Sequence, residues 1–349
     1  MHTKLSNLLE KCDGILLTSP HNMRYFSGFS GGEGAVWISK STKKVFTDSR
    51  YSEQAQNESK NFEVNETNNW LDEVCEVAES ETAETIIFED NDLSSGSYLM
   101  LSEKLGKVEL CGGSKDLNTL RMVKTDEEIE IMQKAESIAC RAFERIINFI
   151  QPGISEKAVA AELEYYIRQE GGDGPAFETI AISGVRCSLP HGVPTDKIIE
   201  KGDFVTMDFG ALVKGYCSDM TRTVIVGRAT EEQKKVYNTV KAAQQTGLEF
   251  IRAGILGKEA DCAVRTVIEQ AGYGEYFRHS LGHGVGLLIH ELPNLSPKSD
   301  IVLLDNMIVT CEPGIYIPGF GGVRIEDMVC VKNDGALNLT SSSKELIEL

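Results

Sequence analysis

Short apolar runs alternate with amphipathic stretches along this chain, and the pattern predicts a small α/β domain followed by a larger second domain. In the first part, β-rich runs occupy residues 14–18, 35–39, 44–47 and 85–88. An amphipathic helix is predicted over residues 70–79. The segment 111–120 contains two glycines and several polar residues, which is typical of a linker. The predicted domains are therefore residues 1–120 and 121–349.

A longer amphipathic pattern opens the second domain. Thr125 and Glu128 have the spacing of a capping box, and apolar residues then recur at helical spacing as far as Ile150. Pro152 and Gly153 are expected to end this helix. A second helix is predicted over residues 155–169.

The same order of features recurs about a hundred residues later, a period too long for a solenoid. Thr230 and Gln233 form another capping-box pattern, and IRAGILGKEA resembles the earlier IQPGISEKAV. HGVP at His191 matches HELP at His290, and TMDFG at Asp208 matches TCEPG at Glu312. The order predicts a duplicated half-domain of two helices followed by strands, with the strands of both halves meeting at a central cleft.

Composition restricts the function classes. The chain has 349 residues, 41% hydrophobic and 25% charged, which is ordinary for a soluble globular protein, and its formal charge of −18 argues against a nucleic-acid partner. No run approaches the ~20 apolar residues of a membrane span, and the N-terminal stretch lacks the features of a signal peptide. Nine cysteines without a CxxC pair favour reduced thiols in a cytoplasmic protein. Cys217 and Cys311 lie near candidate ligands, but we interpret them as small buried hydrophobes.

Four acidic residues and one histidine in the second domain carry the candidate chemistry: Asp208, Asp219, His283, Glu312 and Glu326. A hairpin centred near residues 213–214 would set Asp208 opposite Asp219, about 5 Å apart on one face. A second hairpin about Gly319 would set Glu312 opposite Glu326. Buried carboxylates this close repel each other unless a proton or a cation lies between them.

These residue types favour a two-metal hydrolase. Four carboxylates nearly neutralise two divalent ions, which lower the pKa of a shared water and bind the attacking and leaving oxygens. His283 lies in Gly-His-Gly-Val-Gly, where small neighbours allow close backbone approach. An oxygen-rich set with one imidazole favours Mn²⁺ or Co²⁺ over structural zinc. Other templates fail, because HELPN lacks the second histidine of HExxH and the chain contains no GxSxG.

At these positions the chain resembles a known family, and the resemblance extends over its whole length. The family is the proline-specific peptidases of the pita-bread fold, aminopeptidase P and Xaa-Pro dipeptidase (prolidase). The resemblance is carried by YFSGFSGGEGA, FTDSRY, LRMVKTDEEIE, ISGVRCSLPHG, MDFG, YCSDMTRT, HSLGHGVGLLIHELP, EPGIY and GVRIED. It implies an α+β chain, with a creatinase-like α/β N-terminal domain before an internally duplicated pita-bread catalytic domain.

The resemblance also implies roles for individual residues. The five candidates would bind two divalent metal ions, Mn²⁺ first and Co²⁺ or Zn²⁺ as alternatives, with Asp219 and Glu326 bridging or chelating. His191 and His290 would flank the scissile Xaa-Pro bond, and Glu312 would transfer protons. His279 would lie near the substrate pocket, and Arg324 would support the site. The expected substrates are short peptides with proline at the second position, and the expected assembly is a homodimer without nucleic-acid or membrane partners.

The residues leave alternatives open. Some prokaryotic dipeptidases of this family carry an arginine just after HExP, where this chain has Asn294. This favours aminopeptidase P activity, although the chain is short for the larger aminopeptidases P, so Xaa-Pro dipeptidase activity remains the alternative. Methionine aminopeptidase is disfavoured by the N-terminal domain and LPHG, and metal-free creatinase by the complete ligand set. A non-catalytic pita-bread binding protein would typically have lost ligands.

Overall fold

The chain folds into two compact units that divide between Arg121 and Met122. A computed structural model describes residues 2–349, with side chains from Leu5 onward, so Met1 lies outside the described residues. Each unit has its own hydrophobic cores.

The first unit contains a six-stranded mixed sheet. Its strands are β1 (Gly14–Leu17), β2 (Ala35–Ser39), β3 (Lys43–Thr47), β4 (Glu63–Glu66), β5 (Thr85–Phe88) and β6 (Glu109–Gly112). Its helices are α1 (His2–Leu9), α2 (Pro20–Ser27), α3 (Ser52–Glu58), α4 (Trp70–Ser80), α5 (Ser95–Leu105) and α6 (Ser114–Thr119). The strand order is β4-β3-β2-β1-β5-β6, with β1 and β2 antiparallel and β1 and β5 parallel.

Strand periodicity explains why this sheet is covered on both faces. Successive side chains of a strand point to opposite faces. Ile15 and Leu17 accordingly belong to one core, together with α2 and α3, whereas Leu16 belongs to a second core with α4 and α5. The four strands predicted from sequence are present within one residue of their expected bounds.

The predicted linker at residues 111–120 is wrong, because this segment completes the first unit. Residues up to Gly112 finish β6, and α6 follows directly. Leu117 is fully buried in the core, and Ser114 is buried as well. Of the two glycines that suggested a linker, Gly112 ends β6 and Gly113 directly precedes α6.

Four helices form the outer layers of the second unit: α7 (Asp126–Ile146), α8 (Glu156–Gln169), α9 (Glu231–Phe250) and α10 (Gly257–Gln270). Both predicted capping boxes are confirmed, with Thr125 bonded to Glu128 and Thr230 to Gln233. The first helix ends at Ile146, a turn earlier than predicted from the apolar spacing. Among the described helices, none has the length and apolar character required to cross a bilayer.

The inner layer of this unit consists of antiparallel strands. They are β7 (Gly174–Pro175), β8 (Ile180–Ser183), β9 (Phe204–Phe209), β10 (Ala211–Val213), β11 (Tyr216–Cys217), β12 (Met220–Ile225), β13 (Gly282–Gly284), β14 (Glu291–Leu295), β15 (Ile308–Cys311), β16 (Gly314–Ile317), β17 (Gly321–Arg324), β18 (Asp327–Lys332) and β19 (Gly335–Asn338). Short 3₁₀ helices lie at Gly184–Ser188 and Gly274–Tyr276.

The strand orders support the duplication. One sheet has the order β12-β9-β8, and the other contains β18-β15-β13 in the corresponding places. Helices α7 and α8 share a core with β9, and α9 and α10 share a core with β15 and β18. Asp219 immediately precedes β12, and Glu326 immediately precedes β18. The two halves therefore present acidic residues at equivalent strand ends.

Candidate metal centre and cleft

A cleft of about 270 Å³ in the second unit brings together every site residue predicted from the sequence. The predicted residues that line it are His191, Asp208, Asp219, His279, His283, His290, Glu312, Arg324 and Glu326. They come from seven separate segments of the chain, so the convergence is a property of the fold rather than of local sequence.

The first hairpin places Asp208 and Asp219 on one face, but not directly opposite each other. Asp208 pairs with Thr221, and Val213 pairs with Tyr216 around a two-residue loop. The loop residues Lys214 and Gly215 have φ of 47° and 78°, as a type I′ turn requires. The turn centre is therefore one residue later than predicted, and Asp219 becomes the diagonal neighbour of Asp208. Diagonal neighbours are about 7–8 Å apart, which leaves room for a cation beside each carboxylate.

The second hairpin has the predicted register. Cys311 pairs with Asp327 and Gly314 pairs with Arg324, so Glu312 and Glu326 lie opposite each other between these pairs. Glu326 is almost completely buried. Thr221 on β12 donates a hydrogen bond to Oε2 of Glu326 at 2.6 Å, which links the ligand candidates of the two halves.

His283 is held in the tautomer that suits a metal ligand. Its Nδ1 lies 3.1 Å from the carbonyl oxygen of Gly284, which can only accept a hydrogen bond, so Nδ1 carries the hydrogen and Nε2 presents a lone pair. Nε2 lies 3.5 Å from Asp219 Oδ2 and 3.3 Å from Glu312 Oε1. Burial, assisted by His290, lowers the pKa of His283 to about 4, so the ring is neutral at pH 7.

The glycines beside His283 allow its strand to approach its neighbours. A Cβ atom on Gly282 would lie 2.1 Å from the carbonyl oxygen of Thr310, and one on Gly284 would lie 2.4 Å from that of Leu292. Neither distance is tolerable, so glycine is required at both positions. This agrees with the close backbone approach predicted from the sequence.

The electrostatics of the cleft fit divalent cations. Burial is the largest cause of the raised pKa values of Asp219, Glu312 and Glu326, and repulsion among the carboxylates adds to it. The pKa of Glu312 is raised to about 8. One ligand atom each from Asp219, His283 and Glu326 lies within 4.8 Å of the other two. Oδ1 of Asp208 is buried, and the described residues offer it no hydrogen-bond partner.

A cation between these atoms would remove each of these unfavourable features. It would neutralise the carboxylate repulsion, accept the lone pair of His283 and satisfy Oδ1 of Asp208. The donor set of four carboxylates and one imidazole is rich in oxygen and contains no thiolate. Cys217 and Cys311 are buried, and burial raises the pKa of both thiols, to about 12 for Cys217. They behave as small apolar residues, as the sequence predicts.

A chain of hydrogen bonds connects His279 to the carboxylate cluster through Tyr316 and Arg324. Nε2 of His279 lies 2.9 Å from the Tyr316 hydroxyl, and Arg324 donates to the same hydroxyl at 2.8 Å. Arg324 also donates to Asp208 Oδ2 at 2.7 Å. The guanidinium is buried, so this ion pair holds one carboxylate of the cluster in place.

Three supporting residues were not singled out from the sequence. Thr310 accepts a hydrogen bond from the backbone N–H of His283 and donates to Glu312, and Thr221 contacts both Glu326 and Arg324. Tyr316 is the third. Each of them lies two or four residues from a predicted ligand in an extended segment, and such residues share a face. This period of two is the signal that could have identified them.

Two exposed histidines and several apolar side chains also line the cleft. His191 and His290 are both exposed, and the ring of His290 packs edge-on against that of His283 at 4.2 Å between centroids. Apolar contributions come from Phe177, Ile180, Pro190 and Ile289. Asn294 also lines the cleft and is exposed.

Comparisons with known proteins match both units. Residues 130–333 match metallopeptidase family M24, and residues 4–123 match the creatinase/prolidase N-terminal domain. The chain is 42% identical to the Xaa-Pro dipeptidase of Pyrococcus furiosus over 96% of this chain and 95% of that protein.

Solved structures give the same result. A Xaa-Pro dipeptidase from Bacillus anthracis superposes with a TM-score of 0.96 at 46% identity, covering 99% of this chain and 98% of that one. An X-Pro aminopeptidase from Thermotoga maritima gives a TM-score of 0.92 at 38% identity, covering 99% of both chains.

Proposed function

The chain belongs to metallopeptidase family M24, and from this premise we propose that it hydrolyses the Xaa-Pro bond of short peptides, with the dipeptide Xaa-Pro as its main substrate. The observation that carries the proposal is the cleft in which four carboxylates, a neutral imidazole and two exposed histidines converge. The relatives named Xaa-Pro dipeptidase favour the dipeptidase over the aminopeptidase that Asn294 suggested.

The metal ligands in this proposal are Asp208, Asp219, His283, Glu312 and Glu326. Two divalent cations, with Mn²⁺ as the first choice, would supply Lewis-acid polarisation and a more acidic water. Asp208 is oriented for this role by Arg324, Glu326 by Thr221, and His283 by the carbonyl of Gly284. Such supporting contacts fix ligand geometry before substrate arrives.

Glu312 is the proposed proton carrier. It is the ligand candidate whose carboxylate is contacted by Thr310, and burial raises its pKa to about 8. In the proposed reaction it accepts a proton from the attacking water and returns it to the departing proline nitrogen. A carboxyl group whose pKa lies near the working pH is suited to both transfers.

His191 and His290 are proposed to contact the substrate. Both are exposed residues that line the cleft, and the HGVP and HELP segments that contain them match between the two halves of the sequence. His290 would donate a hydrogen bond to the carbonyl oxygen of the scissile bond, where negative charge develops. His191 would hold the peptide from the opposite side. His279 contributes indirectly, because both of its ring nitrogens already have hydrogen-bond partners.

Proline selection follows from the lining of the cleft. The Xaa-Pro nitrogen carries no hydrogen, and the ring fixes the local backbone shape. The apolar surfaces of Phe177, Ile180 and Ile289 can accept the ring and exclude water from the bond.

Aminopeptidase activity on longer peptides is the second candidate, favoured by one observation. Among the described residues that line the cleft, Arg324 is the one permanent cation, and its guanidinium is occupied by Asp208, Tyr316 and Thr221. It is therefore poorly placed to bind the terminal carboxylate of a dipeptide. The homodimer and the cytoplasmic location predicted from the sequence stay predictions.

A series of peptide lengths tests the proposal. Purified protein is supplied with Mn²⁺, Co²⁺ or Zn²⁺ and assayed on Xaa-Pro, Xaa-Pro-Yaa and Xaa-Ala peptides. We expect hydrolysis to require proline, with the highest kcat/KM on Xaa-Pro. Equal activity on Xaa-Ala would reject the proline-specific function, and a higher kcat/KM on Xaa-Pro-Yaa would select the aminopeptidase. Glu312→Gln should abolish turnover, whereas Glu232→Gln on the exposed face of α9 should not.

A further inference from the structure

A fully buried arginine lies directly behind the carboxylate cluster. Arg222 on β12 is 1% exposed, and all five of its N–H groups have acceptors. Nε donates to the carbonyl oxygen of Ser343, and Nη1 donates to those of Thr221 and Glu326 at 2.9 and 2.6 Å. Nη2 donates to Ser342 O and to Asp327 Oδ1 at 2.8 and 2.7 Å. The guanidinium thus bonds to the backbone of a proposed ligand.

Asp327, the residue after that ligand, is equally well saturated. Its Oδ1 accepts from Arg222, and its Oδ2 accepts from Gln244, Asn338 and Lys344 at 2.9, 2.8 and 2.8 Å. Asp327 is 0% exposed and balanced by two cations. This balance matters because Asp327 directly follows the proposed ligand Glu326 in the chain.

Lys344 belongs to a segment that joins the two halves of the second unit. Residues 339–349 leave β19 and return to β12, where Ile225 exchanges backbone hydrogen bonds with Ile347 and Leu349. Leu346 packs against the core of α9 and α10, and Ile347 against that of α7 and α8. Lys344 is the point at which this segment reaches Asp327. The matched metallopeptidase region ends at residue 333, before this segment.

We propose that Arg222 and Lys344 are positioning residues of the metal centre, which act through Asp327 and the backbone carbonyl of Glu326 to fix the orientation of the Glu326 carboxylate. The inference rests on the proposed function, because it takes Glu326 as a metal ligand. It assigns to segment 339–349 a role in metal binding, besides closing the fold.

The test measures metal affinity separately from turnover. The full chain is stripped of metal with a chelator and titrated with Mn²⁺ by calorimetry. We expect Lys344→Met to weaken Mn²⁺ binding by about tenfold, the lower end of the usual effect of residues that support metal ligands. Lys344→Arg keeps the cation and should recover most of the affinity. Arg222→Lys keeps the charge but loses the five donors of the guanidinium, so it should weaken Mn²⁺ binding at least as much as Lys344→Met does.

Lys241→Met is the matched control, because Lys241 pairs with Glu345 of the same segment and lies outside the Asp327 cluster. It should bind Mn²⁺ like the wild type. The inference is overturned if Lys344→Met retains wild-type Mn²⁺ affinity, or if only its metal-free unfolding midpoint falls. Weaker Mn²⁺ binding by Lys344→Met supports the inference even if neither the wild type nor any variant hydrolyses Xaa-Pro. Such a lack of hydrolysis would count against the proposed function and not against the positioning role.

Discussion

His279 contributes a neutral ring to the cleft. Its Nδ1–H donates to the carbonyl oxygen of Ser280, so its Nε2 accepts from the hydroxyl of Tyr316. Burial is the main reason that its pKa falls to about 3, and Arg324 lowers it further. Protonating Nε2 would end its role as the acceptor of the Tyr316 hydroxyl, which itself accepts a hydrogen bond from Arg324. The neutral state of this residue is therefore part of the support of Asp208.

The low pKa of His279 makes the folded protein less stable in acid. An unfolded histidine titrates near pH 6.5, whereas folded His279 stays neutral down to about pH 3. The neutral ring makes its full contribution to the free energy of unfolding above pH 6.5. This contribution is lost as the pH falls towards 3, because only the unfolded state takes up the proton in that range. The slope cannot exceed ~1.4 kcal/mol per pH unit.

His279→Gln should remove this part of the pH dependence. Urea unfolding of the wild type and the variant is compared across the mildly acidic range, and the difference between their unfolding free energies should shrink as the pH falls. A constant difference at every pH would contradict a buried neutral His279.

Asn294 offers the most direct change of specificity. It is exposed at the cleft and pairs with His283 between β13 and β14. Asn294→Arg would add a free cation for the terminal carboxylate of a dipeptide. A hydrogen bond to a charged group contributes ~1.5–3 kcal/mol, so the ratio of kcat/KM for Xaa-Pro over Xaa-Pro-Yaa should rise about 10–100-fold.

Asn294→Gln is the control for side-chain length without charge, and it should leave the ratio near the wild-type value. Steady-state kinetics on both peptides provide the ratio. If Asn294→Arg lowers both kcat/KM values equally, position 294 does not contact the terminal carboxylate.

At the scale of elements, the sequence predicts what periodicity and caps determine, and fails where a turn sets the register. Thr125 and Thr230 mark helix starts because a side-chain cap is a local interaction. The pairing of Asp208 depends on whether the two loop residues of the hairpin are Val213 and Lys214, as predicted, or Lys214 and Gly215, as observed. Both choices keep the aspartates on one face, so their proximity was predictable although the exact pairing was not.

The two capping boxes give a matched pair of stability predictions. Thr125→Ala and Thr230→Ala should each reduce the free energy of unfolding by about 1 kcal/mol, because each removes the side-chain acceptor at a helix N-terminus. Thr239→Ala in the middle of α9 is the control. Its hydroxyl only bonds back to the carbonyl of Lys235, and alanine has the higher helix propensity, so stability should be unchanged or slightly higher. Equal losses for all three variants in chemical denaturation would contradict the capping argument.

At the scale of the whole molecule, the duplication explains why distant segments could be assigned to one cleft. Asp208 and Glu312 are equivalent in sequence, so their halves had to bring them to equivalent strand ends. The boundary between the two units was harder to predict, because the glycines at residues 112 and 113 are typical of a linker. Only the burial of Leu117 in the structure assigns this segment to the first unit. The buried cluster around Arg222 has no local signature, since four of its five acceptors come from residues 326–327 and 342–343.

The distribution of tryptophan allows the two units to be followed separately. The chain has two tryptophans, Trp37 and Trp70, and both belong to the first unit. The proposed metal centre belongs to the second unit. Because each unit has its own cores, Mn²⁺ should stabilise the second unit and leave the first unchanged. A metal present at about 100 times its Kd adds ~2.7 kcal/mol, which corresponds to a rise in Tm of roughly 5–10 °C for a unit of this size.

Chelation followed by Mn²⁺ addition should therefore move the main thermal transition seen by far-ultraviolet circular dichroism, which reports on the helices of both units, and leave the tryptophan fluorescence transition in place. Mg²⁺ controls for ionic strength, since it prefers octahedral oxygen ligands and waters to a site with an imidazole. An equal rise of both transitions would mean that the units unfold as one cooperative body. The absence of a shift in either transition would argue against a metal centre formed by Asp208, Asp219 and Glu326.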